Sequence, residues 1–133
     1  MSSQLPTIAT ISVPADPAYL TVCRQALVGA VEQLGLADEE LDDLKLVLSE
    51  TCANAIVHGS RSPADVIDIE FRASESEVEV TVIDHGPGFS DGRLPDQQGV
   101  GLSLLARLCS RHRIEPARPG GGAAVMFALS FDR

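Results

Sequence analysis

Cationic side chains are scarce in this chain. Ten Lys and Arg stand against 19 Asp and Glu in 133 residues, giving a net charge of -9 and a pI of about 4.6. Phosphate backbones demand a basic face, so this balance argues against a nucleic-acid binder. It fits a basic or neutral partner. Long apolar runs are missing too: none approaches the ~18 residues of a membrane span. The opening stretch, Met1 to Pro6, lacks the charged and apolar regions of a signal peptide. Cysteine occurs three times, at Cys23, Cys52 and Cys109. An odd, widely spaced set is neither a disulfide framework nor a metal site. It reads as small buried thiols in a reducing, cytoplasmic setting. His58, His85 and His112 do not have metal-ligand spacing either.

What is present is a core. Hydrophobic residues make up 44% of the chain, which calls for a folded protein. The length fits one domain, residues 1–133, with no internal repeat. Thr7 to Val13 alternates apolar and polar, which predicts a first strand. Pro17 to Leu34 carries Leu20, Cys23, Leu27, Ala30, Val31 and Leu34 at helical spacing, with Gly35 as the stop. A second helix is predicted from Asp38, as its cap, to a stop at Gly59. Val66 to Arg72 and Val78 to Ile83 alternate about a Ser74–Glu77 turn, which predicts a hairpin. A third helix follows from Leu102 to about Ser110. A short strand, Arg113 to Pro116, and the last strand, Ala123 to Phe131, flank a turn at Gly120-Gly121-Gly122. The expected fold is an α/β (α+β) two-layer sandwich: a mixed, mostly antiparallel sheet with about three helices on one face.

The second helix organises the rest. Four residues bring a helix back to nearly the same side, so Glu50, Asn54 and His58 lie along one side. Leu41, Leu44, Leu48, Cys52 and Ala55 form a neighbouring apolar stripe for the core. Glu50 and Asn54 thus sit at the core's edge. Asn54 offers a neutral oxygen suited to Mg²⁺. Glu50, one turn earlier, is placed to take a proton from an attacking hydroxyl. Alone, either residue reads as part of a solvated polar face.

Two glycine motifs follow. In Asp84-His85-Gly86-Pro87-Gly88 a strand-terminal Asp can accept from a ligand's amino group, and the glycines let a ligand approach. Alone, it is also a plain turn. Gly99-Val100-Gly101 opens a helix, where free amides and the dipole favour phosphate. Alone, it is also an ordinary loop-to-helix joint. It lacks the third glycine of a dinucleotide fingerprint, and the chain has no G-x-x-x-x-G-K-[ST] loop.

In the order E-x-x-x-N, D-x-G-x-G, G-x-G, the three together resemble the GHKL ATPase superfamily and its histidine-kinase-like, Bergerat-type ATP-binding fold. Within it, the chain looks most like the small bacterial anti-sigma serine kinases of partner-switching systems. Ser49 to Gly59 looks like their N box, Asp84 to Gly88 like the first glycine box, and Gly99 to Leu105 like the second. The likeness spans nearly the whole chain.

That resemblance implies an ATP- and Mg²⁺-dependent protein-serine kinase. Asn54 would ligate Mg²⁺ and Asp84 would bond the adenine amino group, with Gly86 and Gly88 shaping the pocket. Gly99, Val100 and Gly101 would meet the phosphates, and His58 and Leu102 complete the implied nucleotide-binding set. Glu50 would be the general base, and Ser90 to Gln98 a short lid. The implied partners are a sigma factor and a STAS-type anti-anti-sigma protein, without direct nucleic-acid or membrane contact. A homodimer is also compatible with the family. Other uses of the same site are an ATPase, in which Glu50 activates water, and a non-catalytic nucleotide-sensing regulator. Three features depart from the family pattern, the short lid among them. Ala123 stands after Gly122 where a Thr is common, and Gln97-Gln98 precede Gly99 where many members carry an Arg.

Overall fold

The computed structural model describes residues 5–59, 62, 64–86, 100–118 and 121–131. Five strands form one sheet: β1 (Thr7–Pro14), β2 (Val66–Ala73), β3 (Glu77–Asp84), β4 (Arg111–Arg118) and β5 (Gly121–Ser130). Their spatial order is β1-β2-β3-β5-β4. All four pairings are antiparallel. Three α-helices join them: α1 (Leu20–Val31), α2 (Asp38–Gly59) and α3 (Val100–Leu108). Short 3-10 turns precede and follow α1, at Pro17–Tyr19 and Glu32–Leu34.

Alternation along the strands decides which face meets the helices. Ile67, Ile69 and Phe71 of β2 are fully buried, as are Val78 and Val80 of β3. Register places Phe71, Val80 and Phe127 abreast across three strands, with Ile11, Ile69, Val82 and Val125 in the next row. Against these pack Cys23, Leu27 and Val31 from α1, and Leu44, Leu48 and Cys52 from α2. Each helical set recurs every three or four residues, one stripe per helix. Leu41 and Ala55 pack at the margin of the same cluster.

The helix ends have local causes. Gly35 stops the first helical segment in a left-handed conformation, φ 71°, which glycine adopts without steric cost. Asp38 is the first residue of α2 and not its cap. The Ala37 N–H before it is bonded by Glu40 Oε1 at 2.8 Å, the returning half of a capping box. Asp38, Glu39 and Glu40 make the first turn acidic, which suits the positive end of the helix dipole. Gly59 belongs to α2, and positive φ among the described glycines is confined to Gly35 and Gly122. Its reason for being glycine lies elsewhere.

Candidate nucleotide site

Two carboxylates are buried among the described residues, Glu79 and Asp84, and they face opposite sides of β3. Glu79 lies on the face away from the helices. Arg111 Nη2 donates to its Oε1 at 3.0 Å, and Arg72 Nε stands 3.9 Å from Oε2. Arg111 also grips Glu77 through Nε and Nη2, at 3.0 and 2.9 Å. These bonds, to Glu77 first, raise the arginine's pKa against the pull of desolvation. Glu79 is thus explained by the sheet's own ion pairs.

Asp84 is placed differently. It ends β3 in the row Val13, Ile67, Asp84, Ala123 and Pro116, on the side that the helices cover. Only 4% of it is exposed. Its cross-strand neighbour Ala123 is a buried methyl. Above it stands Gly59, the last residue of α2. A Cβ on Gly59 would lie 2.9 Å from Asp84 Oδ1 and nearer still to Oδ2. The glycine is there for space. Its missing side chain lets the helix end close onto the carboxylate, and Gly86, two residues past Asp84, is buried there too. Small residues thus surround a buried acceptor.

Along α2 from that contact, His58 is exposed while Asn54 and Glu50 are half-buried, at successive turns. The neighbouring hydroxyls are spent on the helix backbone. Thr51 Oγ1 donates to the Val47 carbonyl at 2.7 Å, and Ser49 Oγ to that of Lys45 at 2.8 Å. Those bonds let Thr51 be buried and leave Glu50 and Asn54 as the polar groups on that side. Arg24 Nη1 of α1 reaches Ser49 Oγ at 3.4 Å.

Val100, Gly101 and Leu102 form the first turn of α3, whose amides have no partner within the helix. Leu105, on the next turn, is buried in the core and anchors α3 beside α2 and β4. Gly88, Gly99 and residues 90–98, the expected lid, lie outside the described residues.

Two features were not read from the sequence. One is Gly59 as a spacer. Its sign was a glycine at the end of a helix that never needed a left-handed stop. The other is a polar cluster behind the site. Ser12 Oγ donates to Asp68 Oδ1, and His85 Nε2 meets Asp68 Oδ2. An ionised carboxylate only accepts, so the ring N–H donates. Partial desolvation works against the Asp68 carboxylate, but Ser12 and His85 outweigh it and hold its pKa below the usual value. Asp68 faces away from the helices, paired with Ile83. His85 therefore binds on the side opposite Asp84, although the two are adjacent in sequence.

The sheet, its helical layer and the α2–β3 junction define a histidine kinase-like ATPase domain, and the sequence profile of that family matches residues 13–127. The chain belongs to this family, a class of ATP-binding domain. It is 30% identical to the serine-protein kinase RsbW of Bacillus subtilis, over 79% of this chain and 76% of that protein. The RsbW of Bacillus mycoides is 28% identical over 67% of this chain, and there the chain spans only 56% of the relative. The RsbU and RsbW domains of a Mycobacterium tuberculosis protein superpose with a TM-score of 0.73 at 21% identity, covering 96% of this chain and 33% of that one. In the Pseudomonas aeruginosa SiaB–SiaC complex, a chain matches with a TM-score of 0.68 at 15% identity, covering 94% and 91%. These two structural likenesses concern the fold. Among the described residues, no helix is long and apolar enough to cross a membrane.

Proposed function

We propose that the chain is an ATP-dependent protein-serine kinase that doubles as an anti-sigma factor. It would phosphorylate a serine on a STAS-type anti-anti-sigma protein and hold a sigma factor, in the cytoplasm, until that protein competes for it. The observation that carries this reading is the junction of Gly59 with Asp84. The helix bearing Glu50 and Asn54 ends directly on a buried carboxylate suited to an adenine amino group. Similarity to proteins named serine-protein kinase supports the transfer step.

Each residue has a physical task. The Asp84 carboxylate accepts from an amino donor, and its burial makes that bond count for more than it would in water. Gly59, Gly86 and Ala123 keep side chains out of the way, and Gly88 would shape the same pocket. Asn54 Oδ1 would hold Mg²⁺, a hard cation that prefers oxygen. The first amides of α3, with Gly99 before them, would meet the phosphates. Bound ATP supplies the phosphoryl group. Glu50 takes the proton from the partner's serine hydroxyl as its oxygen becomes the nucleophile. His58 and Leu102 would complete the nucleotide-binding set.

A second reading is a nucleotide-sensing regulator that binds its partner without phosphorylating it. Ala123 favours it, since Asp84's cross-strand neighbour offers no hydroxyl, and so does the Gln97-Gln98 pair, which departs from the Arg of the family pattern that the sequence resembles. Calorimetric titration with Mg-ATP, followed by phosphotransfer to purified STAS-type proteins, separates the readings. Glu50→Ala should bind ATP and transfer nothing, while Asp84→Asn should lose binding. Wild-type binding without transfer would favour the second reading. Phosphate release without any partner would identify an ATPase instead.

A further inference from the structure

The outer side of α2 carries an apolar stripe that folding does not account for. Leu46 is 45% exposed and Val57 67%, the largest exposure among the exposed large apolar side chains described. On a helix, Leu46, Glu50, Ala53 and Val57 stand at i, i+4, i+7 and i+11, so they form one line. At 1.5 Å per residue it runs about 16 Å. Glu50 lies within it, flanked on both sides by apolar groups. A β-branched residue lowers helix propensity, and one so exposed recovers little of that by burial. Val57 therefore has no folding reason to be there.

The same line continues toward the start of α2 with a change of character. Asp42 and Glu39 lie four and seven residues before Leu46, and both are exposed. The Asp42 side chain is 75% exposed, and its ion pair to Lys45 is a long 4.0 Å. The surface is thus acidic at one end and apolar around Glu50.

We propose that this line is the docking surface for the phosphoacceptor protein, an inference that rests on the kinase reading. The partner's serine sits between apolar side chains that cover Leu46 and Val57. Its Lys and Arg residues lie over Asp42 and Glu39. The hydroxyl is thereby delivered to Glu50 from the solvent side of α2, and water is displaced from the carboxylate that takes the proton. Charge complementarity fixes the direction in which the partner lies along the helix.

The test uses the full chain and purified STAS-type proteins of the organism that encodes it. Leu46→Lys and Val57→Lys place cations opposite the partner's apolar contacts. Neither substitution weakens helix propensity appreciably, and melting curves confirm folding. The double variant should raise KM for the acceptor protein at least tenfold, with kcat within twofold and the Mg-ATP Kd unchanged. Asp42→Asn should raise KM two- to threefold at low salt, and high salt should erase the difference. Unchanged KM in the double variant, with normal transfer, would overturn the docking surface and leave the kinase reading standing. If the wild type binds a STAS-type protein without phosphorylating it, and the double variant fails to bind, the surface stands and the kinase reading falls. Absence of both binding and transfer by the wild type overturns both.

Discussion

Gly29 and Gly59 both lie in helices, yet they have opposite tasks. At Gly29, on the exposed side of α1, a Cβ would meet nothing within 4 Å. Gly29→Ala should stabilise the fold by about 0.5–1 kcal/mol, by restricting the unfolded chain. At Gly59 the same methyl runs into the Asp84 carboxylate. Gly59→Ala should cost about 1–3 kcal/mol, the usual penalty of overpacking, and should weaken Mg-ATP binding at least tenfold. Urea titration and calorimetry of the two variants check both signs. A neutral Gly59→Ala would mean that the carboxylate swings aside freely. Cysteines make a second residue-scale test. Burial, with Asp43 nearby, pushes the Cys109 thiol from 9.0 up to about 11. Between those values the unfolded chain has lost the proton while the folded chain keeps it. The Cys109 contribution to stability should therefore be flat below pH 9 and fall through pH 9–11. A two-unit interval caps the loss at about 2.7 kcal/mol, and the thiol's partial exposure reduces it to about 1–2. Cys109→Ala should remove that limb. The Cys23–Cys52 pair, where the mutual bond lowers one thiol and raises the other, contributes to both curves alike. Parallel wild-type and Cys109→Ala curves would sink the assignment.

The elements show what was legible in the sequence and what was not. Period-two alternation in Val66 to Arg72 put Ile67, Ile69 and Phe71 on one face, and all three are buried. Helical spacing placed Leu44, Leu48 and Cys52 in the core stripe of α2. Those signals are local, so one sequence carries them. The order β1-β2-β3-β5-β4 is not local, because it depends on pairings between distant strands. β4 also begins at Arg111, two residues before the alternating run suggests, and passes through Pro116. As an edge strand bonded to β5 alone, it tolerates a residue without an N–H. The burial of Glu79 was hidden for the same reason. In the sequence it is one polar alternate of β3. In the sheet, Ala128 of β5 lies between it and Arg111 in register, and the arginine reaches across a strand to it. Glu79 is only 3% exposed, so Arg111→Ala leaves a buried carboxylate with the weaker Arg72 contact. We expect a loss of about 2 kcal/mol, below the 3–5 of a fully buried pair because Arg111 is itself partly exposed. Replacing both, Arg111→Met with Glu79→Leu, should recover much of it. Denaturant midpoints of the single and double variants decide this; an additive double would show that the two side chains do not interact.

On the scale of the whole molecule, the nucleotide site joins parts that hold one another in place. Gly59 of α2 meets Asp84 of β3, β3 sits at the centre of the sheet, and α3 packs on α2. A ligand that binds only the folded arrangement must stabilise all of it together. At one hundred times its Kd, Mg-ATP should add about 2.7 kcal/mol, and a chain of this size should then melt roughly 10 °C higher. The variants divide this effect by role. Asp84→Asn exchanges a carboxyl acceptor for an amide of the same shape, so the shift should shrink to a few degrees or vanish. Glu50→Ala removes a group assigned to the proton of the partner's serine, so it should keep the full shift. If Glu50→Ala loses the shift as Asp84→Asn does, Glu50 helps hold the nucleotide and is not reserved for the acceptor. If both variants keep it, the nucleotide binds away from the α2–β3 junction and the Asp84 cradle has another use.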